Sequence, residues 1–391
     1  MACTLQAGGS GLNTVVIANK NSSNSSELAN YFCQKRSVPP ENVLRINWPG
    51  GNIAWSGLDF ETTLLDPLLN MLVQRQLTNQ IDYVVISMDT PFQTITNGSP
   101  NSTTSALFYG PRTDGGTDLG VTNSYATSEA VFHQAKPASA PSFSFLTTMI
   151  TADSLAQAKQ LVDQGVASDA SLPTQPVVLA KSSDPLRNIR YLLFDNAAFN
   201  VKIRGVSSSL RTNSNSPLGQ TGLLGYQTGL DQYSLSPGAF IPGAIADSMT
   251  SFGGVIFGPN SQTDLLAFIN AGAAGSYGTV NEPGPDAQKF PDPQVYFYQA
   301  RGFNLAESYY QSVNAPYLGL IVGEPLASPF ARSGHGQWGS AISNAVLSGT
   351  AMLSVNFSAA DASRPLEQVD LFIDGKYFNA LTNLPPQPAT Y

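Results

Sequence analysis

Histidine and cysteine are scarce: the 391 residues include two of each, His133 and His335, Cys3 and Cys33. Two thiols allow at most one internal disulfide and exclude a zinc site built from clustered cysteines. Cys33 lies in "LANYFCQKR" and reads as a small buried hydrophobe, with a bond to Cys3 as the alternative. Charge is sparse as well. Asp, Glu, Lys and Arg make up 12% of the chain, about half the usual share of roughly 25%. Ser, Thr, Asn, Gln and Gly must therefore cover the surface, a composition common in secreted bacterial proteins. The net charge of −8 leaves no basic patch to neutralise phosphates, which argues against nucleic acid as partner. No apolar run reaches 18 residues, so no membrane-spanning helix is expected. The opening "MACTLQAGGSG" lacks the charged and apolar regions of a signal peptide. Either the chain is cytosolic, or this is the flexible start (residues 1–12) of a mature chain with its Met restored; the composition favours the second, secreted or at the cell surface.

What is present is strand–helix alternation. "NTVVIANK" is a β-branched run between turn residues, and its Ser/Asn-rich successor can cap a helix that Pro39–Pro40 stop. "VLRINWP" is a second strand, so the first unit is βαβ and the sheet parallel. "FETTLLDPLLNMLVQRQL" and "IDYVVISMDTPFQ" repeat the pattern. Residues 94–142 read as an irregular excursion. "FSFLTTMITA", "PVVLAKSSDP", "NVKIRGV", "GLLGYQTGL", "GGVIFGP", "GSYGTV" and "YLGLIVGEPL" are further strand candidates, within an α/β domain spanning about 13–335. Beyond residue 340 the apolar period drops to two and Asp374–Gly375 marks a hairpin. Residues 340–391 thus read as part of a β-sandwich-like module that is expected to continue past Tyr391.

The stretch from Pro242 to Pro283 combines hydroxyls, acids and glycines and contains neither Cys nor His. Asp247, Asp89, Glu282 and Glu324 fall at strand ends or in the turns after them, where open α/β sheets bind ligands. Two such carboxylates on one rim could do acid–base work on a glycosidic or ester bond. Otherwise they cap turns or pair with Arg187, Arg301 and Arg332. Ser248, Thr250 and Ser251 are candidate nucleophiles, with His133 or His335 as the available imidazole bases. No Gly-x-Ser-x-Gly elbow, Walker lysine or GxGxxG is present, and no cofactor is implied. "DGGTD" places Asp114 and Asp118 where they could chelate calcium, but the remaining ligands of a calcium loop are missing, which favours a plain turn.

"SVPPENVLRINWP", "SFGGVIFG", "NAGAAGSYGTVNEP" and "FPDPQVYFYQARGFNLAESYYQSVNAPYLGLIVGEPLASPF" together resemble an uncharacterised family of bacterial secreted proteins. That family is similar in turn to the gingipain-like cysteine peptidases. The resemblance spans about 12–332 and implies a caspase-like fold, α/β with a mostly parallel sheet between helices. Gly323-Glu324-Pro325 stands where the peptidase pattern closes on Gly-Asp-Pro. The pattern's His and Cys would fall near "GYQTG" (225–229) and "ADSMTSFGG" (246–254). This chain offers Gln227 and Ser248, Thr250 or Ser251 there, so a thiolate–imidazole mechanism is set aside. Two readings stay open. One is a hydrolase-like protein acting on peptide, ester or glycan through a hydroxyl or carboxylate site near 247–251. The other is a non-catalytic extracellular binding protein on the same scaffold.

Overall fold

The computed structural model describes residues 10–112, 123, 125–126, 144–212, 214–215, 219–339, 348–366, 368–386 and 389–390. Cys3, Asp114, Asp118 and His133 lie outside these residues.

Thr14–Asn19 (β1) is buried at all six positions, as a strand covered on both faces must be. Ser22 then accepts a bond from the Ser25 amide and caps helix α1 (Ser23–Arg36), which ends at Ser37 in the left-handed region, φ 54°. Pro39 and Pro40 follow, and Val43–Ile46 (β2) returns beside β1. Helix α2 (Asp66–Gln74) leads to Tyr83–Ser87 (β3), and Leu146–Ile150 (β4) completes the first half of the sheet. The second half holds Val177–Ala180 (β5), Ser208–Arg211 (β6), Leu223–Thr228 (β7), Phe240–Ser248 (β8), Gly275–Thr279 (β9) and Gly319–Gly323 (β10). The ten strands form one sheet in the order β2-β1-β3-β4-β10-β9-β8-β7-β5-β6.

β10 pairs antiparallel with β9 over five positions and meets β4 at one bridge of parallel type, Val322 opposite Met149. A single bridge does not set a strand's direction; the contacts at its two ends do. The Gly319 carbonyl accepts from Ser102, whose neighbour Thr103 bonds Phe92 just past the end of β3. At the other end Glu324 meets Arg36, the last residue of α1, beside the amino-terminal ends of β1 and β2. β10 therefore runs against the sheet, and the carboxyl ends of the other nine strands share one rim. The α/β class with a large, mostly parallel sheet matches the reading from sequence.

Helices cover the sheet. α1 packs on helix α4 (Leu155–Ser168), which also lies against β8, while helices Val295–Arg301 and Leu305–Ser312 pack on each other. Two strand expectations shift. "NVKIRGV" is the end of a helix, Phe194–Ile203 (α5), and the strand follows it at β6. "GGVIFGP" is loop, and the strand lies upstream in "FIPGAIADS". The Gly254 backbone presses on Gly278, where a Cβ would come within 2.4 Å of a carbonyl oxygen. Ile256 is buried in the core from that loop, so its apolar run reports packing rather than strand pairing. The excursion after β3 opens with a regular hairpin, Gln93–Thr96 with Ser99–Ser102, and helix α3 (Thr103–Tyr109).

In the C-terminal part, His335–Trp338, Val355–Ser358 and Ala389–Thr390 form one antiparallel sheet, and Val369–Ile373 pairs with Lys376–Leu381. Asp374 (φ 51°) and Gly375 (φ 79°) make the turn expected of that dipeptide. Val355, Phe357, Val369 and Leu381 form a small core of their own. The hairpin turn docks on the larger body through Gln80, which donates to the Gly375 carbonyl and accepts from the Tyr377 amide.

Candidate functional site

The strand order reverses between β1 and β3 and again between β5 and β7, and the carboxyl rim at such switch points is where open α/β sheets form their ligand crevices. The stretches singled out at 225–229 and 246–254 end adjacent strands near the second crevice. Gln227 lies opposite Asp247, and Thr228 opposite Ser248. The sequence-predicted residues are thus brought together, but beneath the surface. Asp247 has no exposure. Its Oδ1 is 2.6 Å from Arg190 Nη2, and Gln227 Nε2 donates to its Oδ2 at 3.0 Å. Arg190 is itself buried and donates to the carbonyls of Pro291 and Thr228. Burial pushes the Asp247 carboxyl above the usual range, and Arg190 and Gln227 pull it back.

The hydroxyls nearby are committed or enclosed. Ser248 is buried and donates to the Leu230 carbonyl at 2.6 Å. Thr250 is buried against Gly253. Ser251 is half-buried and holds Thr279 through its backbone carbonyl. Glu282 is exposed and turns back to accept from the Gly284 amide. Glu324 lies on the opposite rim from Asp89 and Asp247, because β10 is reversed, and is buried against Arg36. His335 is exposed in the C-terminal sheet, in register with Ser358. Arg190 and Arg36, the partners of the two buried acids, were not singled out in the sequence. Nothing local marks them, since each reaches its acid across a long chain separation.

Asp89 occupies the first crevice. It is half-buried and holds φ 56°, a left-handed conformation uncommon for a residue other than glycine. Ser22, the cap of α1, donates to its Oδ2 at 2.5 Å. Asn19 at the end of β1 ties the crevice together, donating to the carbonyls of Asp89 and Trp48 and accepting from the Trp48 amide. Trp48 is half-buried and its ring lies 4.5 Å from that of Trp55. Asp89, Ser22 and Trp48 thus lie side by side at the carboxyl ends of β1 and β3, two polar groups next to an aromatic ring.

The two acids do not form a catalytic pair. β3 and β8 are four strand positions apart, which at roughly 4.8 Å per strand is about 19 Å. Paired carboxylates that work on one glycosidic bond lie at most about 9.5 Å apart. Among the described residues no three His, Cys, Asp or Glu side chains converge on a point that could hold a metal ion. No helix among them is long and apolar enough to cross a membrane.

No protein-family model matches this chain, and no curated protein matches it. The chain is similar to a solved structure described as "Structure of Protease", with 8% identity and a TM-score of 0.47 over 96% of this chain and 89% of that one.

Proposed function

We propose that the chain is a non-catalytic extracellular binding protein built on a peptidase-type scaffold of the gingipain-like, caspase-fold kind. The observation that carries this reading is the buried Arg190–Asp247–Gln227 network, which fills the place where that scaffold would hold a nucleophile and its base. A nucleophile must be reachable and next to a base. Ser248 is enclosed, and its proton goes to a backbone carbonyl. The low share of charged residues supports a place outside the cell.

The first crevice is the proposed binding site. The Trp48 ring offers a flat apolar face, and Asp89 and Ser22 offer hydrogen-bonding groups beside it. That combination suits a glycan or a peptide, which present an apolar face edged by polar groups. A second reading keeps hydrolysis and moves it here. The 2.5 Å contact between the Ser22 hydroxyl and the Asp89 carboxylate, on a strained backbone, favours it.

A panel of peptide, ester and glycoside substrates, run beside glycan and peptide binding arrays, separates the two. The expected result is no turnover, with binding abolished by Trp48→Ala and weakened by Asp89→Asn. Turnover lost in Asp89→Asn and Ser22→Ala would replace binding with hydrolysis at the same crevice. Turnover lost only in Asp247→Asn, with the fold intact by circular dichroism, would overturn both readings.

A further inference from the structure

Helix α5 is apolar on two faces. Phe194, Ala197 and Val201 are buried against the body. On the outer face Phe199 is 64% exposed and Ile203 63%, and Leu192, in the turn just before the helix, is 72% exposed. A surface helix needs one apolar stripe, and a helix apolar all round is one that is buried on all sides. Leu186, Tyr191 and Leu210, close by in sequence on the loop before α5 and on β6, are exposed too. Leu210 lies opposite Leu179, which packs in the same core as Phe194, Ala197 and Val201, so it is on the α5 side of the sheet; exposed apolar side chains gathered on one face mark an interaction surface. We infer that this face is the interface of a homodimer, in which α5 packs antiparallel against α5 of a second copy.

Charge selects the occupant. Asp195 and Lys202 are exposed and seven residues apart, so they lie along one flank of the stripe, about two turns from each other. Among the described residues neither makes an ion pair within its own chain. A two-fold axis beside Phe199 brings the same flank of each helix together with the direction reversed. Asp195 of each copy then meets Lys202 of the other, so the patch is complementary to itself, as a two-fold interface requires. Ten helical residues span only about 15 Å, and a standard interface buries roughly 800 Å² per partner. Leu186, Tyr191 and Leu210 must therefore supply part of the contact.

Sedimentation velocity on the full chain tests this. The expected species at about 100 µM is a dimer, as a micromolar dissociation constant gives, and Phe199→Asp should convert it to a monomer with unchanged circular dichroism. Asp195→Lys or Lys202→Asp alone places like charges at both contacts and should weaken the dimer at least tenfold. The double reversal should restore it. Both natural charges also complement the helix dipole, and the double reversal opposes that dipole, so restored dimerisation cannot come from a better helix. A monomeric wild type, a dimer that survives Phe199→Asp, or single reversals without effect would each overturn the proposal.

Discussion

Asp247 and Arg190 are held 2.6 Å apart with both side chains out of contact with water, and Arg190 is also bonded to two backbone carbonyls. Removing one partner of such a pair strands the other as a buried charge, at a cost of about 3–5 kcal/mol. Replacing both with apolar groups avoids that cost. Arg190→Met is therefore expected to destabilise by that amount in urea unfolding. The double variant Arg190→Met/Asp247→Leu should recover most of the loss. If the double variant is as unstable as the single, the pair holds the ends of β7 and β8 in a way apolar packing cannot.

The difference between Asp247 as a candidate nucleophile's neighbour and Asp247 as a buried ion-pair member was not legible in the sequence. "IADSMT" shows an acid and hydroxyls at a strand end, but Arg190 approaches from a turn far away in the chain. The same holds for Glu324 and Arg36. What local pattern could convey, it did convey. The β1–α1–β2 unit, the cap at its Ser/Asn cluster and the Asp374–Gly375 turn are all set by short-range signals. The reversed β10 was not visible, because a buried apolar run such as "YLGLIVG" reads the same in either direction. That reversal moved Glu324 off the rim that holds Asp89.

Asp264 lies two residues before the short helix Leu266–Asn270 and accepts from the Leu266 amide. Burial, with the charge of Asp153 adding to it, raises its carboxyl to about 6. An unfolded Asp titrates near 3.9, so between about 4 and 6 the folded chain binds more protons than the unfolded one. Stability at this site accordingly increases as pH falls from about 6 to 4. The gain is of order 1 kcal/mol once solvent screening is allowed for. Asp264→Asn should flatten that part of the pH profile of urea unfolding. An unchanged profile would place the dependence on another carboxyl.

Cys33 is half-buried on α1, and burial pushes its thiol up to about 11. Its thiolate fraction at pH 8 is then roughly two orders of magnitude below that of a free thiol. In a Cys3→Ala variant, alkylation by iodoacetamide is expected to be slower than that of a small free thiol by about that factor, and to accelerate tenfold per pH step up to about 11. Reaction at the free-thiol rate would show that α1 opens readily at this turn.

Gly165 on α4 sits against Glu324, and a Cβ there would come within 2.5 Å of that side chain. Glu324 has little room to yield, because Arg36 holds it on one side and its backbone amide is bonded to the Ala274 carbonyl. Arg36 is held in turn by Asp169, just past the end of α4. Gly165→Ala should thus cost about 1–3 kcal/mol by overpacking, although alanine favours helix by up to about 1 kcal/mol. Glu324→Asp, one methylene shorter, should relieve the clash. The combined variant is then expected to be more stable than the sum of the two separate losses, measured as a coupling in a double-mutant cycle. A gain in stability for Gly165→Ala alone would mean that Glu324 can leave Arg36 at little cost, and that this buried pair is not what fastens α1 and α4 to the end of β10.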